Sequence, residues 1–229
     1  MKFGGFVPCT LIDYPGKTAC IVYTIGCNFR CPYCHNPELV NETVERTFSE
    51  SRIFTFLESR RGVIDGVVIT GGEPTMHGQD LLLFMRRVKE RGFLVKLDTN
   101  GTNPNLLEVA ISQNLVDYVA MDVKAPLSTY HRVVGRPVDI GAIRRSIDTL
   151  LSSGVPYEFR TTVVKTLLSP EDLEGIAREI AGASRYYLQK FVSSTILNPQ
   201  FKRKVEYTDV ELEAFRSNAE KYVAFCGIR

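Results

Sequence analysis

"GVVITGGEPTMHGQDLLLFMRRVKERGFLVKLDTNG", residues 66–101, decides the architecture of this chain. Its opening run, Gly66 to Thr70, is short, apolar and β-branched, as a strand covered on both faces must be. From 79 to 91 apolar residues recur at helical spacing, and the Met and Phe spacing in "LLLFMRRV" reads as core packing. Gly92 follows, where a left-handed residue can close a helix, and a second β-rich run occupies 93–99. Strand, polar loop, helix and strand in this order form a crossover unit, which makes the two strands parallel.

Outward from this unit the pattern repeats. β-rich runs lie at 19–25, 66–70, 93–99, 116–123, 157–164 and 185–191, and helical spacing appears at 49–60, 79–91, 104–113, 141–152 and 170–181. Ser49 and Ser169 stand as N-caps, Pro104 and Pro170 come early in their helices, and Gly62, Gly92 and Gly154 sit where left-handed C-caps belong. Six units imply an α/β fold, either an open doubly wound sheet or a barrel. An eight-unit barrel takes about 250 residues, so 229 residues fit a partial (β/α)6 barrel of TIM type with parallel strands. The expected organisation is one domain over 1–229. An N-terminal extension covers 1–18, and a C-terminal extension over 192–229 carries a helix (208–219) and a strand-like run (222–228) packed on the barrel.

The composition is that of a soluble globular enzyme: 44% hydrophobic, 24% charged, mean hydropathy −0.05. Net charge is +2 without a basic block, so nothing calls for nucleic acid. The opening residues lack the apolar core of an export signal, and no run nears the ~18 apolar residues of a membrane span. The expectation is a cytoplasmic protein with no membrane partner. Cysteines in a reducing compartment argue against a disulfide framework, and Cys9, Cys20 and Cys226 read as small buried hydrophobes.

Ligands in parallel α/β folds gather at the C-terminal strand ends. Four polar clusters sit there: "GCNFRCPYCHN" (26–36), "GGEPTMHG" (71–78), "DTNGTNPN" (98–105) and "DVKAP" (122–126). The first packs Cys27, Cys31 and Cys34 into eight residues. Three readings compete for them. "CPYCH" matches the haem-attachment pattern but leaves Cys27 idle. Three thiolates with His35 could form a tetrahedral zinc site, although structural zinc usually takes two separated ligand pairs. An iron–sulfur cluster held by three thiolates would leave one iron open for chemistry.

C-x3-C-x2-C at the first strand end, with Tyr33 before the last cysteine, followed by "GGEP" (71–74) after the next strand, resembles the radical S-adenosylmethionine superfamily. "LDTNG" (97–101) and "MDVK" (121–124) look like the third and fourth strand ends of glycyl-radical enzyme activating enzymes. "LIDYPGK" (11–17) with "CNFRCPYCHN" (27–36) is similar to one branch, the anaerobic ribonucleoside-triphosphate reductase activating proteins. The resemblance spans about residues 10–191.

It implies a [4Fe-4S] cluster on Cys27, Cys31 and Cys34, whose open iron is chelated by S-adenosylmethionine, and cofactor contacts from Tyr33, Gly71, Gly72, Glu73 and Asn100. Glycines permit close backbone approach, and Glu73 would accept the cofactor's amino group. Asp98, Thr99 and Asp122 would help hold a monovalent cation beside the cofactor carboxylate, while Lys124 and Arg160 would contact the cofactor from neighbouring strands. For Arg160 a salt bridge within the polar mouth is an equal alternative.

The implied reaction is one-electron reductive cleavage of S-adenosylmethionine to a 5′-deoxyadenosyl radical, which takes a hydrogen from a glycine Cα of a partner enzyme, anaerobic ribonucleotide reductase in this branch. Cys9, Cys20 and Cys226 cannot supply a second cubane, so electrons come from an external flavodoxin or ferredoxin. A short tail leaves room for a macromolecular substrate. The alternatives are a radical enzyme acting on a small molecule, such as a pterin-derived precursor, and a non-catalytic zinc-binding or scaffold protein. His35 lines the cysteine loop, and His77 and His131 read as exposed. The segment 192–201 lacks the cofactor-binding histidine of the pyruvate formate-lyase branch, so the adenine pocket is not assigned.

Overall fold

The computed structural model describes residues 1–192, 196–203 and 206–229. The chain forms two compact units. The first contains 1–28, 38–99 and 103–119; the second contains 29–37, 100–102 and 120–229.

The first unit is built on β1 (Lys2–Thr10), β2 (Ala19–Thr24), β3 (Phe48–Ser49), β4 (Gly66–Gly71) and β5 (Leu94–Thr99), in the order β3-β1-β2-β4-β5, with the first residues of β6 (Tyr118–Asp122) beyond β5. β2, β4 and β5 run parallel, with Ile21 opposite Val68 and Val68 opposite Lys96. β1 is antiparallel to both neighbours, so the expected N-terminal extension turns out to include a full sheet strand. Its sequence, "KFGGFVPCT", is interrupted by two glycines and a proline and carries no clean alternation.

Both faces of these strands are covered. Tyr14, Ala19, Ile21, Val68 and Tyr118 form one buried cluster. Their strand neighbours Cys20, Val22, Val67, Ile69, Val95 and Leu97 point the other way and are buried too. The unit's helices are the short α1 (Pro37–Val40), α2 (Glu50–Ser59), α3 (Gly78–Lys89) and α4 (Pro104–Ser112). α2 buries Ile53, Phe54 and Leu57, and α3 buries Leu81, Phe84, Met85 and Val88. The Phe84 ring lies 4.9 Å from that of Phe3 and 5.4 Å from that of Phe54. Each such side chain contributes about 1.5–3 kcal/mol by leaving water. Ser49 caps α2 through the Arg52 N–H, and Asn103 caps α4 through the Leu106 N–H with Pro104 at the first position.

In the second unit the rest of β6 is followed by β7 (Tyr157–Val163), β8 (Tyr186–Lys190) and β9 (Cys226–Ile228), in that order across the sheet. β7, β8 and β9 are parallel. The helices are α5 (Tyr130–Val134), α6 (Ile140–Ser152), α7 (Pro170–Glu179) and α8 (Asp209–Ala219). Ser169 and Thr208 each form a reciprocal capping box, with Asp172 and Glu211. On β7, Glu158 is fully buried and takes both guanidinium nitrogens of Arg229, at 2.9 and 3.1 Å.

Two local expectations are corrected. Gly62 and Gly92 adopt left-handed φ of 78° and 82°, but Gly154 does not: α6 ends on Ser153 in an extended conformation, which demands no glycine. Cys20 and Cys226 are buried, whereas Cys9 is exposed, because the pairing of β1 with β2 loses register between Val7 and Thr10. Among the described residues no helix is long and apolar enough to cross a membrane.

Candidate functional site

The expected site residues divide between the two units. Cys27, Gly71, Gly72, Glu73, Asp98 and Thr99 belong to the first; Cys31, Tyr33, Cys34, Asn100, Asp122, Lys124 and Arg160 belong to the second. Among the described residues, no three His, Cys, Asp or Glu side chains are arranged to hold a single metal ion.

In the first unit β4 runs directly into the glycine pair. The Gly72 N–H donates to the Thr24 carbonyl (3.0 Å) and the Glu73 N–H to the Gly26 carbonyl (2.8 Å), which lays this turn over the residue before Cys27. A Cβ on Gly72 would sit 1.9 Å from the Gly26 oxygen. Gly71, at φ 123°, would put one 2.3 Å from the Thr24 nitrogen. Only glycine fits at either position. Glu73 is 1% exposed, and its Oε1 accepts three hydrogen bonds: from the Thr75 N–H (3.0 Å), the Thr75 hydroxyl (2.6 Å) and the Thr99 hydroxyl (2.7 Å). A buried carboxylate so surrounded is fixed in position and poised to accept a charged donor. His77 is part-buried rather than exposed, its Nε2 lying 3.0 Å from the Ile25 carbonyl. Asp98 is paired by a residue that the sequence does not single out, Lys96, whose Nζ lies 2.6 Å from Oδ1.

In the second unit the loop carrying Cys31 and Cys34 is tied on two sides. The Arg30 N–H donates to the Val134 carbonyl at the end of α5 (2.8 Å). The Leu197 and Asn198 N–H groups donate to the carbonyls of Cys34 and Pro32, at 2.8 and 2.9 Å. The exposed His35 ring stacks on Phe191 at 6.1 Å, and its Nε2 lies 2.8 Å from the Val192 carbonyl. Burial pushes the Cys31 thiol up to about 11, against the pull of the Lys124 ammonium. The Tyr33 hydroxyl is buried without a hydrogen-bond partner.

Asp122 receives Lys124 Nζ at 3.2 Å and Arg160 Nε at 2.9 Å. Burial would raise its carboxyl, but the two cations outweigh that and hold it below the ordinary carboxylate value. For Lys124, burial would lower the ammonium, and Asp122 with Tyr33 and Cys31 instead hold it well above the ordinary lysine value. Tyr130, which the sequence also does not single out, accepts the Lys124 N–H (3.2 Å) and donates to the Asp122 carbonyl (3.3 Å), fixing the "DVK" turn. Asn100 closes its own loop, its Oδ1 accepting the Thr102 N–H at 3.1 Å and hydroxyl at 2.7 Å. The segment 192–201, which holds no histidine and for which the adenine pocket is not assigned, includes 193–195, outside the described residues.

The donors in each unit suit an iron–sulfur cluster with an amino-acid-like cofactor: in the first, one thiol, a glycine cradle that no side chain could share and a held carboxylate; in the second, two thiols on one tight loop and a buried hydroxyl without a partner.

The sequence profile of the radical SAM superfamily matches residues 21–188. A protein of Methanocaldococcus jannaschii, provisionally named a glycyl-radical enzyme activating enzyme, is 36% identical over 96% of this chain and 92% of its own. The pyruvate formate-lyase-activating enzyme of Clostridium pasteurianum is 25% identical over 93% of this chain and 92% of its own. A 7-carboxy-7-deazaguanine synthase of Koribacter versatilis is 29% identical over 86% and 75%. Among solved structures, a radical SAM methyltransferase from Sphaerobacter thermophilus shares the fold, with a TM-score of 0.70 and 15% identity, over 96% of this chain and 68% of that one.

The chain belongs to the radical S-adenosylmethionine superfamily, whose members use a [4Fe-4S] cluster and S-adenosylmethionine, and it has the expected α/β fold of partial-barrel type. Within the superfamily it is an enzyme of the glycyl-radical enzyme activating group.

Proposed function

We propose that this chain draws a hydrogen atom from the Cα of one glycine in a partner enzyme, leaving a glycyl radical there, and that the partner is an anaerobic ribonucleotide reductase. The observation that carries the reading is likeness to activating enzymes over nearly the whole length; "LIDYPGK" with "CNFRCPYCHN" supports the reductase branch. When bound, the cluster and S-adenosylmethionine supply reductive cleavage to the 5′-deoxyadenosyl radical.

The protein's part is to hold and shield. Cys27, Cys31 and Cys34 would hold the cluster, and Lys124 favours the Cys31 thiolate, which must shed its proton to bind. Glu73 accepts the cofactor's amino group, while Gly71 and Gly72 let the backbone approach it. Tyr33, Asn100, Asp122, Lys124 and Arg160 line the cofactor, with Lys124 and Arg160 as its cationic contacts. Electrons come from outside, from a flavodoxin or ferredoxin. In support, Cys20 and Cys226 are core residues whose thiols burial pushes up to about 12, and even with Cys9 they fall short of the four ligands of a fully protein-held electron-transfer cubane.

The test mixes the reconstituted, reduced protein with an anaerobic ribonucleotide reductase carrying Cα-deuterated glycine. Deuterium in the 5′-deoxyadenosine is the expected result, with a glycyl-radical doublet in the electron paramagnetic resonance spectrum of the unlabelled partner that collapses to a narrow singlet with the Cα-deuterated one. The relative that is a 7-carboxy-7-deazaguanine synthase favours a second reading, action on a small molecule. Turnover of such a substrate with no protein partner, and no deuterium transfer from glycine, would make that reading the better one.

A further inference from the structure

The resemblance calls for a monovalent cation on Asp98, Thr99 and Asp122, yet every one of these groups already has a protein partner. Lys96 Nζ stands 2.6 Å from Asp98 Oδ1. The Thr99 hydroxyl donates to Glu73 at 2.7 Å. Asp122 lies between Lys124 and Arg160, at 3.2 and 2.9 Å. A hard cation needs several oxygens turned toward it, and here the two carboxylates are neutralised by an ammonium and by an ammonium with a guanidinium.

Lys96 is the unusual member. It is 2% exposed, and a lysine is almost never so deeply buried unless paired. Alternation along β5 places Lys96 and Asp98 on one face of the strand, opposite to Val95, Leu97 and Thr99. Its register partner on β4 is Val68, a member of the buried cluster that holds Tyr118, and Nζ lies 5.9 Å from the Tyr118 ring centroid, where the ring's negative face supports a cation. Asp98, at 13% exposure, is more open than the lysine beneath it. The pair is therefore held from below, with its carboxylate end toward the strand terminus and the "NG" turn.

We propose that Lys96 is a built-in counter-cation: it is a positioning residue that supplies at Asp98 the positive charge an external ion would otherwise bring, so cofactor binding by this protein is independent of sodium and potassium. The inference rests on the reading that Asp98 lies at the cofactor end of β5. A lysine ammonium is a compact point charge with three donors, close enough in size and charge to act as a tethered monovalent ion.

The test measures S-adenosylmethionine affinity of the cluster-loaded protein by equilibrium binding, with potassium replaced by choline at constant ionic strength. Wild type is expected to change by less than about twofold. Lys96→Met is expected to bind about tenfold more weakly in choline, a loss of about 1.4 kcal/mol, and to recover when sodium or potassium is restored; a structural lesion would show no such rescue. Should Lys96→Met fail to fold, Lys96→Gln replaces it, and the wild-type comparison stands without either variant. Wild-type binding that collapses in choline, or a folded Lys96 variant that binds equally in both salts and as tightly as wild type, overturns the proposal while leaving the site reading intact. No binding in any salt to protein with a full cluster overturns the site reading and this proposal with it.

Discussion

Glu73 and its neighbours show how much depends on single atoms. Its carboxylate collects three donors on one oxygen, and Thr99 supplies one of them from the adjacent strand. Thr99→Val removes that donor without changing the shape of the side chain, and the expected cost is about 1 kcal/mol, the net worth of one intramolecular hydrogen bond, read as a lowered urea midpoint at unchanged m. Gly72→Ala is more severe. A Cβ at 1.9 Å from the Gly26 carbonyl oxygen forces the two loops apart; an overpacking cost of about 1–3 kcal/mol is expected, together with loss of S-adenosylmethionine binding. The glycines and Glu73 are legible because "GGEP" follows an unmistakable apolar strand. Thr99 stands out in the sequence as well, but as a cation ligand rather than as a donor to Glu73, since its neighbour across the strands is visible only once β4 and β5 are in register. Lys96 is invisible for the same reason: a lysine in "LVKLDT" reads as a solvent-facing residue until both faces of β5 prove to be covered.

Elements are easier to read than contacts. Six apolar runs bounded by Gly, Pro and polar clusters form β2, β4, β5, β6, β7 and β8, and the helices between them start where Ser49, Asn103 and Ser169 cap them. What escapes is short or broken: β1, with Gly4, Gly5 and Pro8 in its middle, and α5, whose five residues are too few for a periodic signal. α5 nonetheless carries Tyr130 and ends on the carbonyl that receives the cysteine loop at Arg30. The C-terminal edge offers a test of element-scale stability. Arg229 pairs with both oxygens of the fully buried Glu158, and its backbone bonds to Leu188 and Lys190 of β8. Arg229→Ala leaves that carboxylate in the core without the guanidinium; about 2–3 kcal/mol of destabilisation is expected, below the 3–5 typical of fully buried pairs because the arginine side chain is 37% exposed. Chemical denaturation of wild type and variant measures it.

For the molecule as a whole, charge placement sets how stability responds to pH. Asp122 has a folded-state carboxyl lower than its ordinary value because Arg160 and Lys124 overcome the effect of burial. A depressed acid stabilises the fold above its unfolded pKa of about 3.9, and that contribution is lost as pH falls through the folded value. Asp122→Asn should therefore be less stable than wild type at neutral pH, and the gap should narrow in acid; urea midpoints at pH 7 and pH 3 decide it, and a gap that widens in acid would refute the sign. On the proposed function Lys124 has a second part, since besides pairing with Asp122 it favours the thiolate form of Cys31.

Residue, element and molecule meet in the proposal that Cys27, Cys31 and Cys34 hold a cluster at which S-adenosylmethionine is cleaved. The measurement that bears on it first is 5′-deoxyadenosine formed anaerobically after iron–sulfur reconstitution and dithionite reduction, with wild type beside Cys31→Ala. Wild type is expected to form it and the variant to form none. Wild-type protein with a verified full cluster that forms none, even with a candidate partner enzyme present, would overturn the proposal.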